Sequence, residues 1–152
     1  MRTRRTIAPA PIERDRMDTE SVLPHSFSET ILLVDDDAIF RGFCHATLQH
    51  LGYTVCVASD GAEGLNILER ERGRIRLVIL DLLLPGTSGR EMYDRIREID
   101  SDIRVIIASG LDFDAARDIF DGLDLSWYIM KPFSIHSLSR AVRNALDSRS
   151  AP

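Results

Sequence analysis

The side chains best suited to chemistry each close an apolar run. "TILLVDDD" ends in Asp35, Asp36 and Asp37, "IRLVILD" in Asp81 and "IRVIIAS" in Ser109, while "WYIM" is followed directly by Lys131. Clustered carboxylates repel one another unless they share a cation, and oxygen-only donors that leave room for water suit Mg²⁺. A hydroxyl and an ammonium beside that cation are the parts needed to hold a phosphoryl group, whose transfer depends mainly on positioning and charge neutralisation. A carboxylate can itself accept the group, as an aspartyl phosphate. Each residue alone has a plainer reading: Asp37, the last acid before a helical pattern, reads equally well as an N-cap. Lys131 carries one further mark, because it is the single lysine among 19 basic residues. Either that position needs a compact, rotatable ammonium in place of a planar fork, or the lysine is there by chance.

The elements that must position these residues alternate. Apolar runs beginning near Thr30 and covering 53–59, 75–81, 103–109 and 127–130 are strand candidates. Three are almost continuously apolar, as parallel strands covered on both faces require. Between them, helical spacing is found at 38–50, where Ile39, Phe43, Ala46, Leu48 and Leu51 form an apolar stripe before Gly52, and at 61–70, where Ala62, Leu65, Ile67 and Leu68 do. It recurs at 88–99 (Met92, Ile96, Ile99), 112–121 (Ala115, Ala116, Ile119, Phe120) and 134–147 (Ile135, Leu138, Ala141, Val142, Leu146). Alternation of this kind predicts an α/β fold with a doubly wound, five-stranded parallel sheet joined by right-handed crossovers. Ligands then sit at the carboxyl ends of the strands, where the acids, the serine and the lysine converge.

Composition removes other classes. A chain of 152 residues is bounded to one domain of ordinary size. No stretch approaches the ~20 apolar residues of a membrane span, and a net charge of −5 argues against nucleic acid as a partner. Cys44 and Cys56 lie inside apolar segments and are expected in the core of a protein kept in a reducing compartment. Arg2, Arg4 and Arg5 are followed by "TIAPAPIERDR" rather than by the apolar core of a secretion signal, so a cytoplasmic location is expected. Residues 1–28 lack sustained periodicity and read as a disordered tail, with a short helix near Ile12 to Met17 as its one candidate element.

The stretches "ILLVDDD" (31–37), "LVILDLLLPGTSG" (77–89), "VIIASG" (105–110) and "YIMKPF" (128–133) resemble the response-regulator receiver domains of two-component signalling. The resemblance runs from Thr30 to Leu146, and the separations of 45, 28 and 22 residues from Asp36 to Asp81, Ser109 and Lys131 in turn are ordinary for that family. It implies a flavodoxin-like (βα)5 receiver fold with strand order 2-1-3-4-5 over residues 29–149, leaving 150–152 as a C-terminal end. It further implies that Asp81 is the phosphoacceptor, supplied by a sensor histidine kinase or a histidine phosphotransfer protein. Asp35, Asp36, Asp81 and the backbone carbonyl of Leu83 would hold Mg²⁺, Ser109 and Lys131 would contact the phosphoryl oxygens, and the Lys131–Pro132 bond would be cis. Ser109 and Tyr128 would form the switch that alters the face built from the fourth helix, fifth strand and fifth helix, in a monomer or a phosphorylation-dependent dimer. With the chain ending soon after the fifth helix, the likeness is to stand-alone, chemotaxis-type regulators, and output is expected through a downstream protein target. A phosphorelay intermediate and a scaffold that works unphosphorylated are the alternatives within the family.

Several positions depart from the family pattern. Gly122 lies six residues before Tyr128 rather than about four, which implies a shorter fourth helix and a longer exit loop. Trp127 stands where a small or polar residue is common, and either anchors a partner or covers that loop. Leu83 and Leu111 follow Asp81 and Ser109 by two residues and cannot orient water, so a long-lived phosphoryl group is expected. Leu83 also counts against a metabolic phosphohydrolase, which would carry a second aspartate there as acid and base. A flavin or nucleotide binder would place phosphate donors, not acids, after the first strand.

Overall fold

The computed structural model describes residues 27–119 and 127–148. The five apolar runs form strands β1 (Thr30–Val34), β2 (Thr54–Ala58), β3 (Ile75–Asp81), β4 (Arg104–Ser109) and β5 (Tyr128–Met130). Between and after them lie helices α1 (Ala38–His50), α2 (Gly61–Arg70), α3 (Gly89–Ile99), α4 (Phe113–Ile119) and α5 (Ile135–Asp147). All pairings are parallel and the strand order is β2-β1-β3-β4-β5, the order the receiver-domain resemblance implies. The order reverses between β1 and β3, so the ends of those two strands form the crevice in which this architecture places ligands.

Successive residues of each central strand serve opposite faces. Leu32, Val34, Val78, Leu80, Val105 and Ile107 pack with Ile67, Leu68, Met92, Ile96 and Ala116 of α2, α3 and α4. Ile31, Leu33, Leu77, Ile79, Ile106 and Ala108 pack with Cys44, Leu48, Leu138, Val142 and Ala145 of α1 and α5. Both faces of β3 are thereby sealed, which is why its sequence shows no polar alternation. All five helices begin at a side-chain cap that accepts a backbone N–H group: Asp37 for α1, Asp60 for α2, Ser88 for α3, Asp112 for α4 and Ser134 for α5. Asp37 is thus an N-cap, its Oδ1 accepting from Ile39 and Phe40 at 2.9 and 3.1 Å.

That cap also corrects the apolar stripe expected for α1. Leu48 and Leu51 are buried, but Ile39 is 87% exposed and Phe43 and Ala46 are exposed too. The line that meets the sheet is Phe40, Cys44, Thr47, Leu48 and Leu51. One residue turns a helix by about 100°, so positions 39 and 43 lie on the neighbouring line. The polar Thr47 on the inward line, buried all the same, obscured the true phase. Ala62, Ile119 and Ile135 likewise face outward rather than into the core. Cys44 is buried, with burial pushing its thiol up to about 12, whereas Cys56 is only half-buried because β2 is an edge strand.

Below the sheet, at the amino ends of the strands, Phe27 stacks on Tyr53 with centroids 4.9 Å apart and planes at 11°. The guanidinium of Arg143 lies 4.7 Å from the Phe27 centroid and pairs with Glu29 at 3.2 Å and Asp147 at 2.6 Å. Phe27, which the sequence assigns to the tail, is thereby joined to α5. The candidate helix at 12–17, Phe120, Gly122 and the expected long exit loop lie outside the described residues. Among the described residues, no helix is long and apolar enough to cross a membrane.

Candidate functional site

The carboxyl ends of β1 and β3 bring Asp35, Asp36 and Asp81 together, one carboxylate oxygen from each lying within 4.8 Å of the others. Asp35 and Asp81 are 1% and 7% exposed, while Asp36 faces solvent. Asp35 is fixed by its surroundings: its Oδ1 accepts from the Asp37 N–H at 2.9 Å and its carbonyl accepts from Arg41 Nη1 at 2.7 Å. Asp81 Oδ1 accepts from the Leu83 N–H at 3.1 Å, so the loop after β3 is tied back to the acid that precedes it. Burial is the main force raising the Asp35 carboxyl above its ordinary value. The Lys131 hydrogen bond, the Asp37 N–H and the Lys131 charge oppose that rise, while the Asp81 charge adds to it.

Lys131 enters from the end of β5. Its N–H donates to the Ser109 carbonyl at 2.8 Å, and its Nζ reaches Asp35 Oδ2 at 2.6 Å and Asp81 Oδ2 at 3.3 Å. Burial pulls the ammonium toward deprotonation, but the hydrogen bond to Asp35, the charges of Asp81 and Asp35 and the hydrogen bond to Asp81 together hold its pKa above the ordinary lysine value. Three carboxylates against this one ammonium leave an excess of negative charge. An all-oxygen set, two members anchored and one open to water, fits a small hard cation. The Lys131–Pro132 bond is cis, as expected.

Ser109 closes β4 fully buried, and its Oγ accepts from the Leu111 N–H at 3.2 Å. Tyr128, the first residue of β5, points its hydroxyl to the same place: it donates to the Leu111 carbonyl and shares a hydrogen bond with the Ser109 side chain. Its ring meets Phe113 edge-on at 5.8 Å and 77°. Serine, tyrosine and the start of α4 are therefore one contact network.

Leu83 is 58% exposed, and Leu111 is half-buried in the same shell. A Cβ added at Gly89 would lie 2.6 Å from Leu82 Cδ2 and 3.0 Å from the Leu82 carbonyl oxygen. Only glycine allows α3 to start so close to the loop that leaves Asp81, which gives a physical reason for "PGTSG". Trp127 is half-buried against the face shared with α5 and lines a groove with Ile129, Arg140, Ala141 and Asn144. Asp35, Asp36, Asp81 and Lys131 thus meet at this end of the sheet, with Ser109, Leu83, Leu111 and Tyr128 beside them. Sequence reasoning missed Phe40 and Arg41. Their signal was the spacing from the Asp37 cap, which puts the residue three positions on, Phe40, on the inward line.

The description "response regulator receiver domain" fits residues 31–143. The sensor kinase CckA of Brucella abortus is 34% identical over 142 residues, covering 92% of this chain and 15% of that protein. The uncharacterized transcriptional regulatory protein YkoG of Bacillus subtilis is 36% identical over 118 residues, 76% of this chain and 50% of its own length. The chain therefore spans at most about half of these relatives. A crystal structure of a response regulator receiver domain protein from Clostridium thermocellum superposes with a TM-score of 0.72 at 28% identity, over 78% of this chain and 94% of that one. With the fold, its strand order and the family pattern in agreement, the chain belongs to the response-regulator receiver domains of two-component signalling.

Proposed function

We propose that this chain accepts a phosphoryl group on Asp81 from a phosphohistidine and passes the change to a protein partner through α4, β5 and α5. The observation that carries this reading is the meeting of Asp35, Asp36 and Asp81 within 4.8 Å, with one ammonium bridging the two buried acids. Asp35, Asp36, Asp81 and the Leu83 carbonyl would hold Mg²⁺, which when bound neutralises charge on the phosphoryl oxygens. Asp81 Oδ attacks phosphorus, a P–O bond forms as the P–N bond breaks, and the imidazole leaves with the electron pair. Lys131, 3.3 Å from Asp81, would pair with a phosphoryl oxygen.

The same arrangement supplies a response. Ser109 is committed to the Leu111 N–H and to Tyr128, so a hydroxyl that turns toward the phosphoryl group alters the hold on Tyr128. Because Tyr128 also contacts Leu111 and Phe113, the change is felt at the start of α4. A protein donor accords with the surroundings: Ile39, Leu83, Met130 and Ile135, all exposed, belong to segments at the carboxyl ends of β1, β3 and β5. Apolar side chains gathered near a charged site suit a protein surface better than a small polar substrate. The likeness to the receiver part of a sensor kinase supports a sensor histidine kinase or a histidine phosphotransfer protein as donor.

Intact-mass analysis after incubation with Mg²⁺ and acetyl phosphate tests the reading. The native chain is expected to gain one phosphoryl group and Asp81→Ala none. A folded native chain that gains nothing, or an Asp81→Ala chain that gains the same mass, would overturn it.

A further inference from the structure

We propose that Phe40 is a positioning residue for Lys131: its ring face is a seat that keeps the ammonium beside Asp81 while the carboxylates serve a cation. The inference rests on the phosphoacceptor reading and extends it to a side chain with no donor or acceptor atom. Lys131 Nζ lies 3.9 Å from the Phe40 ring centroid, as well as 2.6 Å from Asp35 Oδ2 and 3.3 Å from Asp81 Oδ2. An ammonium presents three donors; two carboxylates and an aromatic face surround this one. The negative face of a ring attracts a cation most strongly where water is excluded, and the lysine side chain here is only 17% exposed.

The ring is held in place from two directions. The Phe40 N–H donates to the Asp37 cap at 3.1 Å, and Arg41, the next residue, grips the Asp35 carbonyl at 2.7 Å, so the ring's backbone is fixed relative to Asp35. From the other side, Phe133 meets the ring edge-on at 5.2 Å and 82°, two residues beyond Lys131 itself. The ring that faces the lysine is thus held between the α1 cap and Phe133. The division of labour follows from chemistry. Asp35 and Asp81 are the carboxylates that would also bind the cation, so their hold on the ammonium weakens in the loaded protein. The ring has no atom that a hard cation accepts as ligand, and its hold does not weaken. Without it, a flexible four-carbon stem would release the ammonium to solvent as the acids are engaged.

Two measurements test the seat. Because Lys131 is the only lysine, lysine labelled with ¹³C at Cε yields one side-chain NMR signal. Its Hε protons are expected upfield of their position in the unfolded chain, to stay there when Mg²⁺ is added, and to return in Phe40→Leu. Fluorinated phenylalanines installed at position 40 alone keep the ring's shape while weakening its negative face. Phosphorylation by acetyl phosphate is expected to slow stepwise along that series, by about fivefold to twentyfold at its end. An unshifted lysine signal in the native protein overturns the seat. So does a rate that is flat across the fluorinated series, even if Phe40→Leu is slow, because the ring would then act by packing alone. A native chain that is never phosphorylated would instead sink the phosphoacceptor reading, which keeps the two failures apart.

Discussion

At the carboxyl ends of the strands Lys131 faces Asp35, Asp81 and the ring of Phe40; at the amino ends Arg143 faces Glu29, Asp147 and the ring of Phe27. The parts are alike and the circumstances opposite. Arg143 has a planar fork whose Nη2 donates to both Glu29 and Asp147 while its Nε donates to Asp147 again, and the Asp147 side chain is 64% exposed. The upper carboxylates are buried, close to each other and to a third acid, and share one ammonium. The consequence appears in their ionisation. Arg143 holds the Asp147 carboxyl below its ordinary value, whereas burial holds Asp35 above it. A satisfied cluster fastens a chain segment, while one with surplus negative charge stays ready for a cation.

Exchanging the two kinds of cation is the strongest way to break the comparison. Lys131→Arg is expected to slow phosphorylation by acetyl phosphate by about a hundredfold, since a planar fork cannot follow a phosphoryl oxygen as a rotatable ammonium does. Stopped-flow or intact-mass kinetics would measure this, and a loss under threefold would show that position 131 needs only positive charge. Next in size is phosphate lifetime. Leu83→Asn places a group able to orient water beside Asp81 and is expected to hasten hydrolysis on the order of tenfold. Equal decay of the two aspartyl phosphates would mean that the exposed Leu83 does not guard the site.

Acidity sharpens the contrast. For Asp35 the folded carboxyl binds its proton more tightly than the unfolded chain does. The metal-free protein therefore loses this contribution to stability as pH rises from the ordinary 3.8 through the raised folded value. Asp147 has the opposite sign, its contribution being present above 3.8 and lost as pH falls through its lowered value. Carboxyl ¹³C titration is expected to place the two midpoints on either side of 3.8, and Mg²⁺ affinity, measured calorimetrically, to climb with pH through the Asp35 midpoint. Midpoints on the same side would erase the distinction. The smallest effect belongs to the base: Arg143→Lys is expected to cost about 0.5–1 kcal/mol in urea unfolding, with phosphorylation unchanged.

Much of the fold was legible because continuous apolarity in β3 and β4 and the cap at Asp37 are local signals. Asp35, Asp36, Asp81, Ser109 and Lys131 were legible because each closes or directly follows an apolar run, and a parallel sheet brings strand ends together. The phase of α1 was not. Ile39 and Phe43 are as apolar as Phe40 and Cys44, and which line faces the sheet depends on how the cap sets the helix against β1 and β2. Clamps built from distant segments were also invisible, since Phe27 and Arg143 share no pattern in sequence.

By itself, then, the order of residues determined an α/β sheet with acids, a hydroxyl and an ammonium at one end, because strand length, crossover hand and cap chemistry are governed locally. Tertiary structure alone decided that Lys131 bridges Asp35 and Asp81, that Tyr128 reaches Leu111 and Ser109, and that Phe40 rather than Ile39 meets the lysine. Those contacts join segments far apart in the chain, and their geometry is set by how helices seat on a twisted sheet.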